Sequence, residues 1–419
     1  MATLHISPAD GLLDEPRQIV VEGLAAGQQV TLSSQTRRGG EHLWRSSATF
    51  VADARGRVDL EQDAPLTGDY SGVSAMGLLW SQRAGQGRST AVFNDSVVQP
   101  LLTEIRLEGS DQMQTLIQRL AGEGVSRREI RENGLVGTLF VPAGPGPHPA
   151  VMVLNGSGGG INEARAALYA SRGYSALALG YFKAPGLSDY ISNTPLEYFE
   201  QGLAWMHREL APADGFIALS GQSRGGELVL LLGSLFPRSV AAVIGYVPSA
   251  LVHGGQAAAD PAVGRDGPAW LYRGQPLVHV WNNNRHASWA ARDAGLRNAL
   301  SISTALQDAQ AVARACIAVE QIRGPVLLLT AGDDAAWPSS RFGQMVCERL
   351  QSSRHPWPVA QHDYPLAGHS ILLPFIPATY SDDGEPAANA RANQQSWQAV
   401  REFLQNAVAA RRAQTKELQ

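Results

Sequence analysis

Two rhythms of hydrophobic and polar positions divide the chain. Over the first hundred or so residues, short alternating or β-branched stretches recur at Gln18–Leu24, Gln29–Gln35, Ala48–Ala52, Arg57–Leu60 and Ala91–Val98. Gly, Asp, Asn and Pro separate them, and glycines interrupt almost every window long enough for a helix. Alternation with turn residues at that spacing predicts a β-sandwich. From about Leu135 the strand-like runs become almost wholly apolar: Leu135–Val141, Ala150–Leu154, Ala176–Leu179, Phe216–Leu219, Ala241–Val247, Val326–Thr330 and Val359–Tyr364. Helical stretches lie between them at Glu163–Ser171, Leu196–Leu210, Glu227–Phe236 and Arg341–Ser352. Strands apolar on both faces are covered on both faces, which predicts a mainly parallel sheet between layers of helices. Residues 248–324 break this rhythm and read as an insert or lid near the site, with a helix around Ala299–Glu320. Ala387–Ala410 reads as a closing amphipathic helix, and the linker falls within 105–133. The expected division is a sandwich over 1–118 and an α/β domain over 119–419.

One turn in the α/β region carries a chemical signal. Residues 221–227 read Gly-Gln-Ser-Arg-Gly-Gly-Glu, directly after the apolar run Phe216–Ser220 and directly before the helix-like Leu228–Phe236. A Gly-x-Ser-x-Gly turn between a buried strand and a helix puts a serine hydroxyl at the strand tip. Gly221 and Gly225 leave space where side chains would meet neighbouring backbone. Ser223 is the candidate nucleophile, at the carboxyl end of a strand, where such sheets bind ligands.

A serine hydroxyl needs a base, usually histidine, oriented by a carboxylate. Beyond Ser223 the chain offers Asp333 and Asp334 just past Val326–Thr330, then His369 just past Val359–Tyr364. The order Ser, Asp, His is that of a hydrolase sheet carrying this turn. His369 follows a glycine in a loop and is the candidate base; His362 lies within a predicted strand, and His253, His279 and His286 fall in the insert. The fourth position of the turn after the strand favours Asp334 as the acid, with Asp333 the alternative. An oxyanion also needs backbone donors. These are expected from the amide of Arg224 and from Gly156 or Ser157 in the loop Asn155-Gly-Ser-Gly-Gly-Gly160. No Gly-Lys-Ser/Thr follows that loop, so it is not a nucleotide P-loop.

Composition removes other classes. A formal charge of -4 over 419 residues gives no basic surface for nucleic acid. Cys316 and Cys347 are the only cysteines, so neither a disulfide framework nor a Cys/His metal site is expected. No run approaches the roughly 18 apolar residues that cross a bilayer. The opening lacks a basic region followed by an apolar one, and the expectation is a cytoplasmic protein without cofactor. Arg224 and Glu227 read as an ion pair or cap at the helix start, or as residues shaping the pocket, and Trp270, Trp281, Trp289 and Trp337 as core or lid packing, or as the lining of an acyl pocket.

The dispersed motifs together resemble the acyl-CoA thioesterase / bile acid-CoA:amino acid N-acyltransferase family over nearly the whole chain. In the N-terminal region they are Asp14-Glu-Pro16, Val20-Val-Glu-Gly-Leu24 and Met76-Gly-Leu-Leu-Trp80. Further on they are Gly137-Thr-Leu-Phe140, Gly156-Ser-Gly-Gly-Gly160, Glu197-Tyr-Phe199, Gly221–Leu228, Asp333-Asp334 with Trp337, Gly368-His369 and Gly384-Glu-Pro386. The resemblance implies an immunoglobulin-like sandwich followed by an α/β-hydrolase fold, a Ser223–Asp334–His369 triad, and an acyl thioester of coenzyme A, or of a carrier protein, as substrate. Coenzyme A then enters as part of the substrate. Members of that family that conjugate bile acids use cysteine as nucleophile and the thioesterases use serine, so Ser223 implies hydrolysis. Transfer to an amine or alcohol, and a dienelactone-hydrolase-like carboxylesterase, are the alternatives. The segment 250–290 resembles the family weakly.

Overall fold

Alternation in the N-terminal region becomes a pair of sheets. Gln29–Arg38 and His42–Val51 pair antiparallel along their length within a seven-stranded sheet. Every second residue turns inward, Val30, Leu32, Ser34 and Thr36 on one strand and Trp44, Ser46, Ala48 and Phe50 on the other. Thr3–Ser7, Gln18–Glu22 and Val58–Asp59 make a three-stranded sheet, and residues of both sheets share one core with Leu78, Leu79 and Trp80. The computed structural model describes residues 2–39, 42–85, 91–379 and 383–417. Two compact units result, Met1–Glu123 with Leu372–Trp397, and Gly124–Ile371 with Gln398–Gln419.

One local expectation fails in the first unit. Ala91–Val98 forms no strand; the Asn94 side chain instead donates to Gln99 O and Pro100 O (3.3 and 2.9 Å), folding the segment back before the strand Leu101–Leu107. The division between the units, at Glu123 and Gly124, lies inside the interval 105–133, with strands on either side of it. Leu101–Leu107 and Met113–Arg119 pair antiparallel in the larger sheet, and Ser126–Ile130 belongs to the sheet of the second unit. The first unit also takes up Leu372–Trp397: Phe375 joins its core, and Trp397 Nε1–H donates to Asp14 Oδ2 at 2.7 Å.

The second unit is built on eight strands: β1 (Ser126–Ile130), β2 (Val136–Val141), β3 (Ala150–Leu154), β4 (Ser175–Gly180), β5 (Ile217–Gln222), β6 (Ala242–Tyr246), β7 (Val326–Ala331) and β8 (Val359–Tyr364). Their order across the sheet is β1-β2-β4-β3-β5-β6-β7-β8. β2 runs antiparallel to both its neighbours, and the pairs from β4 to β8 are all parallel. β3, β4, β6 and β7 are buried at every residue, as their continuous apolar runs require. Helices α1 (Glu163–Ser171), α2 (Glu197–Glu209), α3 (Arg224–Leu235) and α4 (Ser339–Ser352) pack on the sheet. This is the α/β-hydrolase fold.

Residues 248–324 are ordered by short pairings. Leu251 bridges Cys316, Gly254 bridges Pro268, and Thr194–Pro195, Trp270–Tyr272 and Gln275–Pro276 form a small sheet. The single helix expected around Ala299–Glu320 is two, Asn298–Ala305 and Ala309–Ala315. Asp308 divides them, its side chain accepting from Gln310 N and Ala311 N to cap the second. The closing helix runs from Pro386 to Glu417.

Candidate active site

The elbow is set by close backbone packing. Ser223 sits between β5 and α3 at φ 58 and ψ -117, a left-handed conformation that a non-glycine residue adopts only when its surroundings hold it there. A Cβ on Gly221 would lie 2.1 Å from Gly225 O, and one on Gly225 would lie 2.5 Å from Leu154 O and 2.6 Å from Asn155 O. Ser223 N–H donates to Tyr246 O at 2.8 Å, pinning the turn to the end of β6.

Three loops deliver the polar groups. His369 follows β8, and its Nε2 is 2.7 Å from Ser223 Oγ. Its Nδ1 is 2.9 Å from both carboxylate oxygens of Asp334, which follows β7. Asp334 is held in turn, since Ala336 N–H and Trp337 N–H donate to its Oδ1 at 2.9 and 3.1 Å. The Asp334 side chain is 1% exposed and that of His369 18%, so the carboxylate is enclosed while the imidazole is partly open. Trp337 lies edge-on to His369 (ring centres 5.8 Å apart, 83°), with its Nε1–H on Val247 O at 2.9 Å.

The alternative acid is occupied elsewhere. Asp333 pairs with Arg297 through Oδ1 at 2.7 Å and through its carbonyl, and its side chain is 44% exposed. Of the two neighbouring aspartates only Asp334 reaches His369. His362 is exposed on β8. His253 lies at 0% exposure with its Nε2 on Ser249 Oγ (3.0 Å) and its Nδ1 on Gln256 Nε2 (3.1 Å). Burial, followed by the nearby Arg224 and His279, pushes its pKa well below the ordinary imidazole value.

The glycine-rich loop comes up beside the hydroxyl. A Cβ on Gly156 would lie 3.0 Å from Gln222 O and 3.2 Å from Ser223 Cβ, a tight fit that brings this backbone close to the hydroxyl. The loop is braced by Tyr181 O–H donating to Asn155 O and Asn155 Nδ2 donating to Gly159 O, both at 2.6 Å. Arg224 is the first residue of α3, and a first helical amide has no partner within its own helix. Gly156 and Arg224 thus bring backbone to either side of Ser223, Gly156 from the glycine-rich loop and Arg224 from the start of α3.

Sequence reasoning left a buried polar network at the elbow largely unread. Arg224 and Glu227 form the ion pair expected of them, Nη1 to Oε2 at 2.7 Å, with both side chains at 0% exposure. Glu227 Oε1 also accepts from Trp270 Nε1 (2.8 Å) and His253 N (3.2 Å), and Arg224 Nη2 donates to Gly254 O at 2.8 Å. Burial raises the Glu227 carboxyl pKa, opposed by Arg224 and by these hydrogen bonds. The insert is thereby fastened to the helix that begins after Ser223. Of the four tryptophans singled out, Trp270 serves this network and Trp337 touches His369, while Trp281 and Trp289 stack on each other (4.0 Å, 5°).

Among the described residues no cluster of His, Cys, Asp or Glu could hold a metal ion, and no helix is long and apolar enough to cross a membrane.

Known proteins share this chain's sequence along nearly all its length. The family described as acyl-CoA thioester hydrolase/BAAT N-terminal region matches residues 14–132, and that described as BAAT / acyl-CoA thioester hydrolase C terminal matches residues 194–410. Acyl-coenzyme A thioesterase 6 of Mus musculus is 31% identical over 428 residues, covering 96% of each chain. Acyl-coenzyme A thioesterase 1 of Homo sapiens is 31% identical over 425 residues, again covering 96% of each. Bile acid-CoA:amino acid N-acyltransferase of Mus musculus is 29% identical over 435 residues, covering 96% of this chain and 97% of its own. With both halves matched in order, the chain belongs to the acyl-CoA thioester hydrolase / bile acid-CoA:amino acid N-acyltransferase family.

Proposed function

We propose that this protein hydrolyses acyl-coenzyme A thioesters through an acyl-enzyme on Ser223. The observation that carries the reading is the continuous relay from Ser223 Oγ through His369 to Asp334, with both contacts of the imidazole below 3 Å. Ser223 Oγ attacks the thioester carbonyl while His369 Nε2 takes its proton. Asp334 holds Nδ1–H and stabilises the imidazolium. The backbone amides of Arg224 and of Ser157 or Gly156 receive the oxyanion, where each donor is worth about 10²–10³ in rate. The C–S bond then breaks, and His369 returns the proton to the departing thiolate of coenzyme A. Water, deprotonated by the same imidazole, attacks the acyl-serine; the C–O bond breaks, Ser223 regains its proton and the carboxylic acid leaves.

A hydroxyl nucleophile favours hydrolysis over transfer. Its acyl intermediate is an ordinary oxygen ester, which activated water cleaves. The test follows thiol release from saturated acyl-coenzyme A substrates of graded length, with products identified in the presence and absence of glycine or taurine. Free acid in both arms supports the reading. N-acyl amino acid as the main product with an added amine would replace it with transfer, and an oxygen ester turned over in preference to its thioester would replace it with a carboxylesterase.

A further inference from the structure

A buried cation at the back of the site remains outside this mechanism. Arg165 lies on α1, a helix so thoroughly enclosed that every residue from Ala164 to Ala170 is buried. Its side chain is drawn to three catalytic elements. Nη2 donates to Gln222 Oε1 (3.2 Å), on the residue before the nucleophile, and to Ile371 O (3.3 Å), two residues past the base. The guanidinium stands 3.9 Å from the ring centre of Tyr246, whose carbonyl holds Ser223 N. Ile371 N–H in turn donates to His369 O at 3.1 Å, closing the turn that carries the imidazole. The helix itself starts immediately after the loop Asn155–Gly160, with Asn162 capping it by accepting from Arg165 N.

We infer that Arg165 is a positioning residue for acyl transfer, its two Nη2 hydrogen bonds and stacked plane fixing the histidine loop against the nucleophile elbow. The relay needs this because Ser223 and His369 stand on separate connections whose strands, β5 and β8, are not neighbours in the sheet. A flat, delocalised cation suits the place: it stacks on Tyr246 while hydrogen-bonding in its own plane, which an ammonium cannot do. A residue with merely structural weight would be needed for folding alone. One that sets the Ser223–His369 geometry changes the rate of attack at constant fold, and small misplacements of reacting groups cost about 10²-fold.

The inference rests on Ser223 and His369 acting together, so its test separates the two readings. Wild-type, Arg165→Met and Arg165→Lys proteins are labelled with a fluorophosphonate, a reaction that requires activated Ser223 but no acyl-coenzyme A. Turnover is then measured per titrated site, and thermal unfolding is recorded for each. The expected result is a roughly 10–100-fold fall in phosphonylation rate and kcat for Arg165→Met, with KM within about 3-fold. Arg165→Lys should recover part of that loss. Rates per titrated site equal to wild type in Arg165→Met would overturn the inference, as would a change confined to KM. Should Arg165→Met not fold, a Gln222→Leu variant removes one of the two Nη2 hydrogen bonds and must lower the same two rates. Failure of the wild-type enzyme to label would instead count against the triad.

Discussion

His369 Nε2 lies 2.7 Å from Ser223 Oγ across a sequence separation of 146 residues. A contact so remote along the chain arises because β5 and β8 belong to one parallel sheet and end at the same edge. The elbow turn then lifts Ser223 toward the loop that follows β8.

Asp334 and Asp333 make the sharpest comparison between neighbours. Asp334→Asn keeps shape while withdrawing the acceptor that fixes the imidazole tautomer, and should lower kcat by about 10⁴. Asp333→Asn breaks only a half-exposed pair with Arg297 and should leave kcat within a few-fold. Steady-state kinetics on the two variants checks this. Equal losses in both would show that the relay does not run through Asp334.

The buried Arg224–Glu227 pair should matter more to stability than an exposed pair would. Glu227→Ala leaves a guanidinium without its counter-charge at 0% exposure and should destabilise by about 3–5 kcal/mol. Glu227→Gln keeps acceptors for Trp270 Nε1 and His253 N and should lose less. Denaturant unfolding of the variants provides the measurement.

Most of this fold was legible in residue pattern. Fully apolar runs located β3 and β7 to within a residue, because a strand covered on both faces has no solvent side to confuse its limits. The glycines of 221–226 gave the elbow, since backbone approaches of about 2–3 Å to a would-be Cβ allow nothing else. Ala91–Val98 misled because its spacing is that of a strand while the Asn94 side chain bonds its own following backbone. The segment Leu372–Trp397 was assigned by sequence proximity alone, and no local pattern states which core Phe375 enters. Arg165 was missed, although an arginine inside Ala164–Ala170 is the signal: a charge on a wholly apolar helix must be satisfied inside the protein.

Close packing at the elbow predicts the result of a single methyl group. Gly225→Ala would press on Leu154 O and Asn155 O, the root of the glycine-rich loop. It should cost about 1–3 kcal/mol in stability and reduce kcat more than KM. Calorimetry together with kinetics checks both halves of this expectation.

Acid should weaken the fold through the buried histidines. The pKa of His253 and that of His279 are both lowered, chiefly by burial. Above the ordinary imidazole value of about 6.5 both states are neutral at these positions and nothing changes with pH. Below it the unfolded chain takes up protons that the folded chain refuses, so stability falls as pH falls, by up to about 1.4 kcal/mol per pH unit for each group. Unfolding temperatures from pH 7.5 down to pH 5 should show the decline, and His253→Asn should flatten it. A wild-type profile unchanged over that range would contradict the assignment.

The central claim is tested most directly by stopping the reaction midway. Rapid mixing with an acyl-coenzyme A, acid quenching and intact-protein mass spectrometry should reveal a protein heavier by one acyl group, mapped by peptide analysis to Ser223. His369→Ala should form it at a strongly reduced rate, and Ser223→Ala not at all. Turnover that persists in Ser223→Ala, or an acyl group mapped to another residue, would contradict the account.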